Sequence, residues 1–469
     1  MALLFLLIPL VCVFVLNMPR RETAARLSPW VIGSVCLLQA TFAATSHMDC
    51  WEPFLALYTL PVPLELAVDP MTAVILFTIA LVVAVALFVG IPGDSHEKVI
   101  TSSLVLMVMA GMNGVVMVRD LFSLYLFLEV TSISSYILIA SKKSLRSLNA
   151  SFRYFILSGL ASLAMILSSA LIFLQTGTLN YAGMAQGLGA ADPVLITALI
   201  LFTIAFCVKA GAVPFHGWLP EAYASTSNAV SVLMAGIVTK VAGGYAIIRL
   251  MNEVFAGYVG PSQAFMALGA LSIIVGAFGA MAQPDMKRML AFSSISQMGY
   301  IILAAGLATP LALIGAVVHF VNHALFKSLL FVNAASVEEQ CGTTQLDRLG
   351  GLTERMPVTG WTSVIGFLST AGLPPLSGFW SKLLIVIALM LAGQWAYAVL
   401  AILMSLVTLG YFLVLQRNVF FGILREGFED LREARGALVG VSLILAGLTT
   451  VLGLLFPLVL VMLHGFALV

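Results

Sequence analysis

Charge is scarce in this chain of 469 residues. Asp, Glu, Lys and Arg together make up only 9% of it, whereas 61% of the residues are hydrophobic. This balance excludes an ordinary soluble domain and is typical of a protein whose solvent is the bilayer. Because backbone groups in hydrocarbon must be satisfied within their own segment, we predict an all-α, polytopic membrane protein.

Cofactor motifs are absent as well. The five cysteines form no CxxC pair and no cluster, which argues against iron–sulfur and zinc sites, and the chain has no GxGxxG or Walker-type loop. We therefore expect no cofactor and no metal, and any redox or ATP chemistry would belong to other subunits. The cysteines are Cys12, Cys36, Cys50, Cys207 and Cys341.

Apolar runs of roughly 18–25 residues, enough to cross a bilayer, follow one another along the chain. They predict about fourteen transmembrane spans. The first run has arginines after it and no basic residue before it, the reverse of a cleaved signal peptide, so it counts as span one. The spans begin near Ala2, Pro29, Val68, Lys98, Leu121, Ala150, Val194, Ala229, Ala264, Lys287, Pro310, Val358, Trp395 and Gly436.

The loop Lys and Arg residues alternate between the two sides of these spans. Nearly all of them follow spans 1, 3, 5, 9, 11 and 13, and the opposite side has only Arg119 and Arg249. By the positive-inside rule, the basic side is cytoplasmic. We therefore predict a protein of the inner (cytoplasmic) membrane with both termini on its outer, periplasmic side.

Two spans are interrupted by glycine and proline and should be discontinuous. Each also has a lysine close to the break, and paired interrupted helices are typical of transporters built as repeats. A simple proline kink packed by its neighbours is the alternative. The prolines are Pro214 and Pro220 in span seven and Pro374 and Pro375 in span twelve, and the lysines are Lys209 and Lys382.

One glutamate and four lysines lie inside apolar spans, where a charge costs at least several kcal/mol and is therefore normally paired, hydrated or part of an ion route. They are Glu129, Lys209, Lys240, Lys327 and Lys382. Opposite charges about 4 Å apart attract by roughly 4 kcal/mol at an effective dielectric near 20. Separating Glu129 from Lys209 would therefore help the lysine to release a proton. The alternatives are snorkelling for Lys240 and a counter-charge to the broken helix for Lys382.

Span eleven places His319, His323 and Lys327 at i, i+4 and i+8. They share one helix face at steps of about 6 Å, which one water can bridge. An imidazole accepts a proton at one nitrogen and releases it from the other, so this face is a candidate proton relay. A hydrogen-bonded packing role for the histidines is the alternative. His216, in the break of span seven, would either gate the route or cap the freed backbone.

Five ordered segments have the most specific sequence pattern: 126–130, 208–222, 287–300, 319–327 and 372–382; four of them contain all the candidate site residues except Lys240. In them the chain resembles the antiporter-like subunits shared by respiratory complex I, membrane-bound hydrogenases and Mrp-type Na⁺/H⁺ antiporters. The sequence of the last segment, which contains the terminal site Lys382, is most similar to that of the Mrp D-type subunit and its counterpart in membrane-bound hydrogenases.

The resemblance implies two inverted five-helix repeats, spans four to eight and nine to thirteen, with discontinuous spans seven and twelve. The chain would divide into residues 1–97, 98–250, 264–416 and 417–469. It also implies a switching pair, a central water-filled axis and an exit site. By position these are Glu129 with Lys209, then Lys240, His319 and His323, then Lys382, with Lys327 as a weaker candidate.

We therefore expect a proton-translocating subunit of a redox-driven complex, without redox chemistry of its own. Its partners would be other membrane subunits and peripheral iron–sulfur subunits, and no nucleic acid. The alternative is the D-type subunit of an Mrp Na⁺/H⁺ antiporter. A haem-binding subunit is disfavoured, because His319 and His323 on one helix cannot reach opposite faces of one haem. A scaffold that has lost conduction stays open.

Overall fold

A computed structural model describes residues 2–45, 65–189, 193–256 and 258–465, with side chains as far as residue 458. Cys50 lies outside these ranges. Every regular element in them is a helix, and most of these helices are long and apolar. The predicted all-α fold is confirmed.

The helices, in chain order, are α1 (Ala2–Asn17), α2 (Arg21–Thr45), α3 (Pro70–Val89), α4 (Ser95–Met117), α5 (Leu121–Ala140), α6 (Leu145–Thr176), α7 (Tyr181–Gly187), α8 (Pro193–Ala210), α9 (Leu219–Ser225), α10 (Asn228–Glu253), α11 (Val259–Met281), α12 (Met286–Leu307), α13 (Pro310–Cys341), α14 (Pro357–Ala371), α15 (Ser377–Leu391), α16 (Trp395–Val419) and α17 (Gly436–Gly465). Three short 3₁₀ turns are His216–Trp218, Leu346–Arg348 and Leu352–Glu354. Helix α10 contains two π-helical runs, Met234–Val238 and Lys240–Tyr245.

Within the described ranges, 12 helices are long and apolar enough to cross a membrane. The two predicted spans outside this set are the first, where α1 has 16 residues, and the twelfth, which is split into α14 and α15. The multi-pass architecture is confirmed, and the count of fourteen stays a prediction. The second span begins earlier than expected, at Arg21 instead of Pro29, because polar residues extend the helix beyond its apolar part.

The chain forms two compact units. The first is Met1–Ala210 with Ser225–Phe255, and the second is Gly211–Ala224 with Ala256–Val469. The four sequence segments and the inverted repeats stay predictions.

Acidic residues set the starts of several helices. Asp69, Asp94, Asp120 and Asp285 are N-caps whose carboxylates accept a hydrogen bond from the backbone N–H three residues later. An oxygen acceptor there satisfies a backbone donor that the helix itself leaves open. These acids therefore fix where α3, α4, α5 and α12 begin.

A cluster of four charged side chains ties together parts of the first unit. The Asp69 carboxylate lies 2.9 Å from Arg119 Nη2 and 2.6 Å from Arg249 Nη1. Glu253 lies 2.6 Å from Arg249 Nη1 and 3.7 Å from Arg119 Nε. Arg119 and Arg249, the two basic residues on the side with few of them, thus share two acids. The resulting ion pairs join the start of α3 to the α4–α5 connection and to the end of α10.

Asp69→Asn is expected to lower the free energy of unfolding by about 1–3 kcal/mol, because it leaves the guanidinium of Arg249, 5% exposed, with one acid fewer. Solvent around the partly exposed Asp69 keeps the loss toward the lower end of that range. Thermal unfolding in detergent should show a lower melting temperature than for the wild type. Glu97→Gln, which breaks the surface pair with Lys143, should leave the melting temperature unchanged. An equal decrease in both variants would contradict the stabilising role of Asp69.

The same carboxylate should give this unit an acid dependence. Burial raises the pKa of Asp69, but the hydrogen bond and charge of Arg249, the Thr72 N–H and the charge of Arg119 outweigh it and lower the pKa from 3.8 to about 2. A carboxyl whose pKa is lower in the folded state stabilises the fold above its unfolded pKa. Asp69 therefore makes its full contribution to the free energy of unfolding above about pH 4 and loses it as pH falls toward 2. This acid dependence should be absent from Asp69→Asn.

Candidate functional site

The predicted pair of Glu129 and Lys209 forms in the first unit. Lys209 Nζ lies 3.0 Å from Glu129 Oε1. It also donates to the hydroxyls of Ser132 and Ser158, each at 2.8 Å, and of Ser162 at 3.3 Å. The lysine side chain is 1% exposed and the glutamate 25%, so a deeply buried ammonium is held by a carboxylate that keeps some access to its surroundings.

The three serines were not predicted from the sequence. Ser158 and Ser162 are four residues apart and share a face of α6, and Ser132 follows Glu129 by three residues on α5. Ser162 also donates to Glu129. A search for small polar residues at helical spacing near each membrane charge would have found them. We call these three residues the serine cradle.

Helix α8 ends directly after Lys209, as predicted for the broken span. Gly211 has φ 65°, a left-handed conformation that favours glycine. A turn and a 3₁₀ segment, His216–Trp218, precede α9. In the second unit, Val213 N–H donates to Ser272 Oγ at 3.0 Å, so one freed backbone donor of the break is satisfied by a side chain. The His216 ring packs against Phe292, and its gating role stays a prediction.

Lys240 lies in a π-helical run of α10 and is fully buried. Its ammonium donates to the backbone carbonyl of Ala235, and no ion pair to it occurs in the described part of the chain. A Cβ on Gly243 would overlap the backbone of Ala210, so α10 lies against the end of α8 that holds Lys209. Snorkelling is excluded by this burial. The two lysines therefore occupy adjacent helices in one unit.

In the second unit, the histidines and Lys327 lie along α13 as predicted. The rings of His319 and His323 are 6.1 Å apart and nearly parallel, which matches the expected step. His319 Nδ1 shares a hydrogen bond of 2.9 Å with Ser381 Oγ. Lys327 donates to the carbonyl of Leu290 at 3.0 Å and to the hydroxyl of Ser293. All three α13 side chains are fully buried.

Lys382 lies at the second break. Its Nζ donates to the carbonyls of Thr370 at 2.9 Å and Ala371 at 3.2 Å, the last residues of α14, and to Ser405 Oγ at 3.2 Å. A cation at these carbonyls stabilises the end of a helix. This is the geometry of the counter-charge alternative, and Lys382 can fill that role and still exchange a proton.

Tyr300 connects Lys382 to the histidines and was not predicted from the sequence. Its ring centroid lies 4.7 Å from Lys382 Nζ and 5.7 Å from the His319 ring centroid. Its hydroxyl donates to the carbonyl of Ala401 at 2.7 Å. A single tyrosine in an apolar segment gave no signal of this role. The second unit thus places Lys327, the two histidines, Tyr300 and Lys382 in succession, all of them buried.

The family model described as "NADH:quinone oxidoreductase/Mrp antiporter, TM" matches residues 118–408, which contain every side chain of the two candidate sites. The chain belongs to this family. The resemblance inferred from the sequence motifs is confirmed.

Relatives from two kinds of complex are similar to this family member over most of its length. It is 33% identical over 398 residues to the D-type subunit of the Na⁺/H⁺ antiporter of Alkalihalophilus pseudofirmus, which covers 84% of this chain and 80% of the relative. It is 34% identical over 406 residues to the N-type subunit of the NADH-quinone oxidoreductase of Desulforudis audaxviator, which covers 85% and 80%. The two similarities are equal in strength.

Solved structures show the same fold. A chain of the Mrp complex from Dietzia superposes with a TM-score of 0.89 at 28% identity, covering 100% of this chain and 96% of that one. A chain of the membrane-bound sulfane sulfur reductase, an archaeal respiratory membrane complex, gives 0.88 at 28% identity with the same coverage. The predicted membrane fold is confirmed by this agreement.

Metal ligands are not gathered in the described part of this family member: no three His, Cys, Asp or Glu side chains there lie close enough to hold an ion. Cys12, Cys36, Cys207 and Cys341 are not disulfide-bonded. The chemistry that the buried side chains offer is proton binding and release.

Proposed function

We propose that this chain is a proton-translocating, antiporter-like membrane subunit of a multisubunit ion-pumping complex. The observation that supports this most strongly is the buried pair of Lys209 and Glu129 on the serine cradle. Lys327 and Lys382 are also buried amines held by carbonyls and a hydroxyl, and Lys240 is a buried amine held by a carbonyl. An amine inside a membrane fold is energetically costly, and such residues usually serve transport.

The pair acts as a switch. At 3.0 Å and an effective dielectric near 20, its attraction is about 5 kcal/mol. Moving one charge across about 100 mV costs roughly 2.3 kcal/mol. Opening the pair costs about as much as the attraction and lowers the proton affinity of Lys209 by the same amount, which is enough to drive its proton against an ordinary membrane potential. The proton passes to Lys240 in the first unit, and His323, His319 and Lys382 carry protons in the second.

The chain is oriented with its basic loops in the cytoplasm and both termini outside, in the cytoplasmic membrane. The charge distribution supports this orientation. The outer side has only two basic residues, Arg119 and Arg249, which are held in ion pairs with Asp69 and Glu253, whereas most of the Lys and Arg residues lie in the loops of the other side.

The energy comes from partner subunits. A redox-driven complex with peripheral iron–sulfur subunits is the first assignment. A multisubunit Mrp Na⁺/H⁺ antiporter is the second, and the similarity to the antiporter relative supports it equally. Purifying the complex through a tag on this chain distinguishes them: iron–sulfur partners indicate the redox machine, and small hydrophobic partners alone indicate the antiporter.

Glu129→Gln is expected to slow proton uptake by membrane vesicles at least about tenfold, because a neutral amide cannot switch the proton affinity of Lys209. The complex should assemble, since the serine cradle still holds the lysine. The acidification of the vesicle lumen, followed with a pH-sensitive dye, measures the rate. Glu97→Gln is the matched control, as it breaks a lysine–glutamate pair at the surface. Wild-type transport by Glu129→Gln would leave only the scaffold alternative.

A further inference from the structure

Another lysine–glutamate pair with a buried ammonium lies at the end of the α12–α13 contact, outside the set of predicted site residues. Lys287 Nζ is 2.5 Å from Glu338 Oε2. Lys287 is in the first turn of α12 and its side chain is 1% exposed, whereas Glu338, in the last turn of α13, is 31% exposed. The pair therefore joins a water-accessible carboxylate to a buried ammonium, on the side with the basic loops.

Helices α12 and α13 run antiparallel from this pair into the membrane. The Leu290 carbonyl and the Ser293 hydroxyl, which bind the ammonium of Lys327, are three and six residues beyond Lys287. At 1.5 Å per residue, they lie about 4.5 and 9 Å deeper along α12. One or two waters can bridge such a distance between Lys287 and the groups that bind Lys327.

The line continues inward with polar groups that the helices themselves do not satisfy. Gln297 follows Ser293 by four residues and thus lies on the same face of α12. Both polar atoms of its amide are buried without a hydrogen-bond partner among the described residues, and so is the hydroxyl of Ser328, next to Lys327 on α13. Buried polar groups of this kind are the usual hosts of internal water.

The other charged groups around the pair have their own partners. Arg288 pairs with Glu221 at 3.2 Å and Glu339 pairs with Arg435 at 3.3 Å. Asp285 caps α12 and accepts hydrogen bonds from Thr344 and Gln345. Among these groups, only the Lys287–Glu338 pair has a deeply buried member that leads toward Lys327.

We propose that Glu338 and Lys287 form a proton entrance from the cytoplasmic face to the buried line of the second unit. Glu338 takes a proton from bulk water, Lys287 releases one inward to water beside Ser293, and Glu338 then reprotonates Lys287. The net change is one proton moved from bulk water toward Lys327, with the pair restored. This inference rests on the proposed function and adds the place where protons enter.

Glu338→Gln in the whole complex tests the entrance. In inverted vesicles, whose cytoplasmic face is outside, proton uptake at about pH 8 should fall at least about tenfold, because the carboxylate that collects protons is gone. The remaining rate should rise as pH is lowered, and added imidazole, a small diffusible proton donor, should restore about half of the wild-type rate. Glu339→Gln, which removes the neighbouring exposed pair, should transport within about twofold of the wild type.

The result has a different meaning for each pattern of loss. Wild-type uptake by Glu338→Gln, together with loss in Glu129→Gln, overturns the entrance and leaves the proposed function intact. Uptake retained in both variants overturns both. If Glu338→Gln loses proton uptake and imidazole does not restore it, the Lys287–Glu338 pair only stabilises the structure, and the entrance is also overturned. If Glu338→Gln fails to assemble, Glu338→Asp decides, since it keeps the charge: slow uptake with rescue supports the entrance, and no rescue contradicts it.

Discussion

Lys209→Ala is expected to reduce proton translocation at least about 100-fold while the complex stays assembled. The serine hydroxyls that remain can pass a proton on, but they cannot hold one at neutral pH, so the step at which Glu129 controls release is lost. Proton uptake by vesicles measures the effect, and copurification of the partner subunits checks assembly. Lys143→Ala, at a surface lysine paired with Glu97, is the control and should transport normally.

Lys209→Arg separates charge from chemistry at the same position. Arginine keeps the positive charge and can still bind Glu129, but it does not release its proton in proteins. We expect transport as low as in Lys209→Ala. If Lys209→Arg transported at the wild-type rate, a fixed positive charge would be sufficient there and proton exchange by Lys209 would be refuted.

Gly378→Val is expected to prevent assembly, with a loss of about 4 kcal/mol or more in folding free energy. Gly378 lies in the first turn of α15, where a Cβ would overlap the backbone carbonyl of Ser369 on α14. Its N–H also donates to Ser369 Oγ at 3.1 Å. Without this close approach, the two halves of the broken span cannot keep their packing, and the carbonyls that bind Lys382 move.

The yield of assembled protein, measured by size-exclusion chromatography of solubilised membranes, reports this effect. Gly378→Ala should give an intermediate yield, because even one methyl group meets the carbonyl. Gly410→Val is the matched control, since a Cβ at Gly410, in α16, meets no atom within 4 Å. A normal yield of Gly378→Val would show that the break tolerates the added volume.

The sequence was sufficient for the elements that depend on local pattern. Apolar length predicted the spans, proline and glycine predicted the breaks after Lys209 and before Lys382, and the spacing of four residues predicted the stacked histidines. The pairing of Glu129 with Lys209 also followed, because a lone buried acid needs a counter-charge.

The parts that depend on tertiary contacts could not be predicted. The serine cradle comes from two helices besides α8, and no local period joins Ser132 to Ser158. Tyr300 meets His319 and Lys382 only after three helices pack together. Lys382 binds the terminal carbonyls of α14 across the break, and the sequence left that role open.

The serine cradle determines how Lys209 behaves once its proton has gone. A hydroxyl rotates freely and can present either its hydrogen or its lone pairs. The neutral amine can therefore accept a hydrogen bond from one of these hydroxyls and still donate its two N–H groups to the others, so both protonation states keep polar partners. A cage of carboxylates at this position would trap the cation permanently. Hydroxyls make the site reversible, and a turnover can begin again without any rearrangement of the backbone around it.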